Sequence, residues 1–198
     1  MDPIAQAFQA LAPEAHVFHL LDDSLSKDHA KAQTLTPQMM ARFEDLTQYA
    51  LKTGSQAILF TCSAFGAAIE ACAKDRPEPI LKPNEAMIEQ AVALVGERGR
   101  MNGQILGLVS SFAPTLQSMP NEFSTDVNLE IKLADGAMAA LNAGDVATHD
   151  KLVVEAARDL VKRGAKVIAL AQYSMAHCKP MVEAACGVPV LTTTDSAI

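Results

Sequence analysis

The segment ILFTCSAFG, residues 58–66, contains the residue best suited to chemistry, Cys62. A thiolate can act as a base or as a nucleophile. In open α/β sheets ligands collect at the carboxyl ends of strands, where the start of the next helix favours an anion. That position would lower a thiol pKa from about 8.5 toward neutrality. A lone cysteine among apolar neighbours is also commonly a packed core residue, so both interpretations stand at this point.

The remaining reactive side chains favour structural roles. Cys72, Cys178 and Cys186 fall in predicted helices, and we expect them to pack. His149 and Asp150 resemble a catalytic pair, but they lie where a helix begins, and His177 follows a predicted strand in a helical stretch. The sequence contains no glycine-rich phosphate loop and no His/Cys/Asp group with metal-ligand spacing. We therefore expect no metal and no cofactor.

Apolar strands alternate with amphipathic helices along the chain. Asn84 and Glu85 are typical of a helix start, and Thr148 is the predicted N-cap of a long helix that ends at Gly164. This alternation predicts an α/β fold with doubly wound parallel sheets. The predicted helices cover 3–11, 37–52, 62–74, 85–97, 150–163 and 180–186, and the predicted strands start at 16, 56, 79, 104, 166 and 188.

The chain repeats itself with a shift of 110 residues. Residues 51–88 align without a gap on residues 161–198, with the same order of helix, glycine, strand, turn, helix and proline-marked strand. Six identities in 38 positions are few, so the shared order of elements carries the repeat; the alternative is that any two βαβ units look alike. The identities are Lys52 with Lys162, Gly54 with Gly164, Ile58 with Ile168, Pro79 with Pro189, Leu81 with Leu191 and Ile88 with Ile198. In this register Cys62 corresponds to Gln172.

Three turns carry a resemblance to a known family. The sequences TCSAFG (61–66), SSFAPT (110–115) and LAQYSMA (170–176) resemble the aspartate/glutamate/hydantoin racemase superfamily, which includes maleate isomerases and arylmalonate decarboxylases. The resemblance covers nearly the whole chain. It implies two pseudo-symmetric halves with the site between them and a catalytic cysteine at a strand end in each half. Cys62 matches the first cysteine, whereas Gln172 occupies the position of the second.

The replacement of the second cysteine limits the chemistry. Racemisation by two bases requires one group on each face of the α-carbon, and an amide does not exchange protons usefully near neutral pH. Ser174 is the nearest hydroxyl, and no base stands beside it in the sequence. We expect a cofactor-independent isomerase or racemase acting through Cys62 on a small carboxylic acid, such as an amino acid, a hydantoin or a dicarboxylate. The alternatives are a single-cysteine decarboxylase of a malonate-type acid and a carboxylate-binding protein without catalysis.

The resemblance also implies which groups hold the substrate carboxylate. They are backbone N–H groups and hydroxyls in the turns after the strands: Ser63, Ala64, Ser111, Thr115, Tyr173 and Ser174. The other interpretation of these hydroxyls is that they cap helices.

We expect one unit over residues 1–198, with halves at roughly 1–82 plus 188–198 and at 83–187. The family usually begins with a strand, but here a helix is the first predicted element, which would leave a sheet edge exposed. The net charge of −7 argues against nucleic-acid binding. The sequence has no apolar run long enough for a membrane span, and its four cysteines suit reduced thiols in the cytoplasm. Family analogy alone suggests a homo-oligomer.

Overall fold

A computed structural model describes residues 3–96 and 104–197, with the side chains of all but Pro3 and Ser63. The helices are α1 (Pro3–Leu11), α2 (Leu25–Ala32), α3 (Pro37–Lys52), α4 (Gly66–Ala73), α5 (Glu85–Val95), α6 (Ala113–Ser118), α7 (Ala137–Asn142), α8 (Val146–Lys162), α9 (Lys179–Cys186) and α10 (Thr193–Ser196). The strands are β1 (Ile58–Leu59), β2 (Ile80–Leu81), β3 (Ile105–Ser110), β4 (Leu129–Leu133), β5 (Ala165–Leu170) and β6 (Val190–Thr192). Short 3-10 helices cover Ser63–Phe65, Met119–Glu122 and Tyr173–Cys178.

The strands form two parallel sheets, as the alternation of elements predicts. One sheet has the order β4-β3-β5-β6, and the other consists of β1 and β2. The strands β3 and β5 are almost entirely buried, because each is apolar along its length and lies in the middle of the larger sheet. This confirms the α/β fold with parallel sheets in two halves.

Helices cover both faces of the larger sheet. On one face α8 packs Val153, Ala157 and Leu160 against β5 residues such as Ile168. On the other face α5 contributes Met87, Ala91 and Val95 to a second core cluster with residues of β3. A third cluster belongs to the first half and joins α3 to α4 through buried side chains that include Phe43, Phe65 and Ile69. The two layers of helices position the carboxyl ends of the strands and the turns that follow them.

The structure confirms the 110-residue repeat in its backbone hydrogen bonds. The N–H of Ile58 donates to the carbonyl of Pro79 at 2.9 Å, and the N–H of Ile168 donates to that of Pro189 at 3.0 Å. The helices that precede these strands, α3 and α8, also end at equivalent lysines. Gly54 and Gly164 then turn the chain with φ values of +89° and +105°, a region that glycine adopts readily. The two halves are therefore built on the same register.

Several sequence predictions differ from the structure. The predicted strand at 16–21 is an irregular segment with Phe18 and Leu21 largely exposed, because no strand in the described part of the chain pairs with it. The strand β6 pairs with β5, so residues 190–192 join the four-stranded sheet and not the sheet of the first half. The helix predicted over 85–97 ends at Val95, while residue 97 and the repeat partner Ile198 lie outside the described residues. Elements α2, α6, α7, α10 and β4 were not predicted.

The long helix α8 begins earlier than predicted. Its N-cap is Asp145, whose side chain accepts a hydrogen bond from the backbone N–H of Thr148 at 3.0 Å. Thr148 is therefore the third residue of the helix. Among the described helices, none is long and apolar enough to cross a membrane.

Candidate functional site

Cys62 lies in extended backbone shortly after β1, with φ −121° and ψ 114°. The Ser63–Phe65 3-10 helix separates it from α4, which begins at Gly66. The side chain is half-buried. Burial raises the pKa of the Cys62 thiol, and a hydrogen bond from the backbone of Ala64 offsets this only in part. The direction is opposite to the lowered pKa that the sequence position suggests, because desolvation disfavours the thiolate more than the Ala64 hydrogen bond favours it.

Gln172 occupies the equivalent place in the second half. It follows β5 in extended backbone, with φ −142° and ψ 142°, and the 3-10 helix Tyr173–Cys178 begins at the next residue. Its side-chain oxygen accepts a hydrogen bond from the backbone N–H of Ser111 at 2.7 Å. The hydroxyl oxygens of Ser110 and Ser111 lie 2.8 Å and 3.0 Å from the same oxygen. Hydrogen-bond donors of the turn after β3 thus hold the Gln172 carboxamide.

The turn after β3 also reaches the Cys62 half of the molecule. Phe112 packs against the same core cluster as the side chain of Cys62, while the adjacent Ser111 binds Gln172. The predicted substrate ligand Ser111 is therefore engaged with Gln172. One turn connects the two equivalent strand ends.

The other predicted ligands lie around these turns in different environments. Ala64 and Thr115 are buried, and Ser174 is half-buried. Tyr173 is buried, and its hydroxyl has no hydrogen-bond partner among the residues that the structure describes. Burial raises the pKa of Tyr173, so the phenol stays protonated at neutral pH. The side chain of Ser63 lies outside the described atoms.

An open groove of about 670 Å³ runs between the first half and the region after β3. Of the predicted site residues only Ala64 lines it, and neither Cys62 nor Gln172 does. Asn84, predicted as a helix cap, makes no side-chain capping bond; its amide donates to Glu122 Oε1, on the groove wall, at 3.2 Å. Burial raises the pKa of Glu122, which the nearby positive charge of Lys82 counteracts.

A group that the sequence spacing did not reveal lies between α8 and the 3-10 helix after Gln172. It consists of His149, Asp150, His177 and Cys178, each with one ligand-type atom within 4.8 Å of the others. The aspartate Oδ1 lies 2.8 Å from His149 Nδ1, 2.7 Å from His177 Nε2 and 3.3 Å from Cys178 Sγ. In the sequence this group is visible only as two pairs of adjacent residues: His149 with Asp150 on α8, and His177 with Cys178 on the 3-10 helix.

Comparisons with known proteins agree with this architecture. The family model described as Asp/Glu/Hydantoin racemase matches residues 1–198. Glutamate racemase isoform RacE1 from Bacillus anthracis superposes with a TM-score of 0.71 at 13% identity, covering 98% of this chain and 73% of that one. Allantoin racemase from Klebsiella pneumoniae superposes with a TM-score of 0.66 at 16% identity, covering 98% of this chain and 78% of that one.

An arylmalonate decarboxylase structure also shares the fold, with a TM-score of 0.55 at 16% identity over 82% of this chain and 74% of that one. No curated protein sequence matches the chain. At these identities the structural matches establish the fold, and the family model covers the full length. The chain belongs to the Asp/Glu/hydantoin racemase family.

Proposed function

We propose that this chain is a cofactor-independent isomerase-like enzyme that acts on a small carboxylic acid through Cys62. The observation that carries the proposal is the pairing of Cys62 with Gln172 at equivalent strand ends in the two halves. Cys62 is the one member of the pair that can ionise. Family membership supports an enzyme of the racemase and isomerase class, with decarboxylases among the relatives.

The environment of Gln172 argues for chemistry on one face of the substrate. Its carboxamide oxygen is held by donors from Ser110 and Ser111, so the side chain is fixed in place. An amide in this position can orient a substrate, but it cannot take or return an α-proton. Racemisation with one base on each face is therefore disfavoured here. Two one-sided reactions remain.

In the first reaction, isomerisation of an activated double bond, the Cys62 thiolate adds to one alkene carbon. The electron pair of the C=C bond moves to the neighbouring carboxylate system, the resulting single bond rotates, and elimination of the thiolate restores the double bond. No proton is gained or lost over the cycle. This reaction requires the thiolate.

In the second reaction, decarboxylation of a malonate-type acid, the bond to one carboxylate breaks and carbon dioxide leaves. The bonding pair forms an enediolate, and the Cys62 S–H donates its proton to one face of that carbon; solvent then reprotonates the thiolate. The raised pKa of Cys62 favours this second candidate, because burial keeps the thiol protonated near neutral pH.

The test is incubation of the full chain in deuterated water with a panel of amino acids, hydantoins, cis-unsaturated dicarboxylates and substituted malonates. Mass spectrometry reads deuterium incorporation and carbon dioxide loss, and chiral analysis reads configuration. We expect turnover in wild type and in Cys186→Ala, a second half-buried cysteine, and none in Cys62→Ala. Turnover that survives in Cys62→Ala would overturn the proposal.

The pH profile distinguishes the two reactions. A proton donor loses activity as pH rises through the thiol pKa, whereas a nucleophilic thiolate gains activity over the same interval. Ligand-dependent melting of the chain without turnover of any compound would instead identify a carboxylate-binding protein.

A further inference from the structure

The four side chains between α8 and the Tyr173–Cys178 helix form a compact set of metal-ligand types. His149 and Asp150 come from the helix α8, and His177 and Cys178 come from the end of the 3-10 helix. His149 is fully buried and directs Nδ1 at the group, and its other nitrogen, Nε2, has no partner among the described residues. We propose that these four residues bind one Zn²⁺ ion in a tetrahedral site of one thiolate, two imidazoles and one carboxylate.

The four ligand atoms lie within 4.8 Å of one another, and the distances from the sulfur approach those of such a site. Zinc bonds of about 2.0–2.3 Å in a tetrahedron place nitrogen and oxygen ligands about 3.3 Å apart and a sulfur about 3.6 Å from each of them. Cys178 Sγ lies 3.3 Å from Asp150 Oδ1, 3.6 Å from His177 Nε2 and 4.0 Å from His149 Nδ1. The carboxylate oxygen lies closer to the two imidazoles, at hydrogen-bond distance. An ion at the centre of the group requires the Asp150 carboxylate to move away from the two imidazole nitrogens that it now contacts.

The charges and burial of the group favour a metal over a catalytic role for the thiol. Cys178 is fully buried, so a substrate has no access to it. Its sulfur also faces the Asp150 carboxylate, and a thiolate there would be repelled unless a cation stood between the two. Zn²⁺ provides that cation: on binding, the Cys178 S–H bond breaks, its proton passes to water and the sulfur keeps the electron pair. Two anionic and two neutral ligands then balance the charge of the ion.

The types of ligand atom in the group favour zinc over other divalent ions. One sulfur, two imidazole nitrogens and one carboxylate oxygen form the mixed soft and borderline set that tetrahedral Zn²⁺ accepts, whereas Mg²⁺ and Ca²⁺ prefer oxygen ligands alone. His177 is 43% exposed, so the ion can reach the site from solvent. The 3-10 helix that carries two of the ligands begins directly after Gln172. A bound ion would therefore fix the turn that positions the Gln172 carboxamide.

The test uses the full chain, stripped of metal with a chelator and then titrated with Zn²⁺ against a chromophoric competitor. We expect one Zn²⁺ per chain and a higher melting temperature in its presence. Co²⁺ in place of Zn²⁺ should give the visible bands of a tetrahedral ion and a near-ultraviolet sulfur-to-cobalt charge-transfer band.

Four variants make the result specific. Cys178→Ser should lose the charge-transfer band, and His177→Ala should weaken Zn²⁺ binding more than about 100-fold. The controls Cys186→Ser and His16→Ala should bind like wild type. Because His177 is partly exposed, its variant keeps the test valid even where Cys178→Ser fails to fold. Absence of stoichiometric binding, or equal binding in wild type and His177→Ala, would identify a purely hydrogen-bonded cluster and overturn the proposal.

Discussion

The side-chain oxygen of Gln172 lies 2.7 Å from the backbone nitrogen of Ser111, and this hydrogen bond links the turns after β5 and β3. The two residues are 61 positions apart in the chain. The same turn continues to Phe112, which packs in the cluster around Cys62. Gln172 is therefore a structural connection between the halves as well as the counterpart of Cys62.

Replacement of Gln172 by leucine should destabilise the fold. Leucine has a similar size, but it leaves the backbone N–H and the hydroxyl of buried Ser111 without their acceptor, at a cost of about 1–3 kcal/mol in the free energy of unfolding. Urea unfolding measures the change. Gln172→Glu retains an acceptor oxygen at this position, and Gln9→Leu, at an exposed position on α1, serves as the matched control. An unchanged unfolding midpoint in Gln172→Leu would contradict the structural role of these hydrogen bonds.

Cys62 should react slowly with iodoacetamide. Because burial raises its thiol pKa above the usual range, Cys62 should be alkylated more slowly than glutathione at about pH 8, and its rate should keep rising at higher pH. Peptide mass mapping follows the site, with Cys62→Ser to assign it. Alkylation faster than that of glutathione at neutral pH would mean that the folded chain stabilises the thiolate.

The same pKa shift predicts a loss of stability in alkaline solution. A thiol whose pKa is higher in the folded chain stabilises the fold fully below its unfolded value, about 8.5, and loses that contribution as pH rises through the folded value. The melting temperature of wild type should therefore fall above about pH 8.5, and Cys62→Ser should show a smaller fall. If the melting temperatures of wild type and Cys62→Ser fall by the same amount over this pH interval, the raised pKa of Cys62 is contradicted.

Gly107 should not tolerate a side chain. A Cβ at this position on β3 would lie 2.7 Å from Ile168 Cδ1 and 3.0 Å from Leu160 Cδ1. We expect Gly107→Ala to reduce the free energy of unfolding by about 1–3 kcal/mol, as overpacked cores do. Ile168→Val removes the closest atom, so the double variant should lose less than the sum of the single variants. If the losses of stability in the two single variants simply add in the double variant, the contact with Ile168 is not the cause of the destabilisation.

Asp145 should stabilise α8 in a pH-dependent way. Hydrogen bonds from Thr148 hold the pKa of its carboxyl below the usual value. The stabilisation is therefore present above the unfolded pKa of about 3.9 and is lost as pH falls through the lower folded value. Asp145→Ala should melt below wild type at neutral pH and approach it in acid, while Asp145→Asn, which keeps an acceptor, should melt close to wild type at neutral pH. Thermal melts at several pH values measure the difference.

Local patterns in the sequence were sufficient for much of the fold. The apolar runs of β3 and β5 predict buried parallel strands, and the amphipathic pattern of α8 predicts a helix against them, because burial follows the period of each element. The 110-residue repeat paired Cys62 with Gln172, since a duplicated register is itself a linear pattern. The structure gives both residues the same position after their strands.

Other features depend on contacts between distant parts of the chain. The residues at 16–21 have the composition of a strand, but a strand requires a neighbour, and in the described residues none pairs with them. Desolvation on folding raises the pKa of the Cys62 thiol, and the local sequence does not reveal how far a side chain will be desolvated. Tertiary packing alone joined Ser111 to Gln172 and His149 to Cys178, because the folding of β3, β5 and α8 against one another decides which side chains meet.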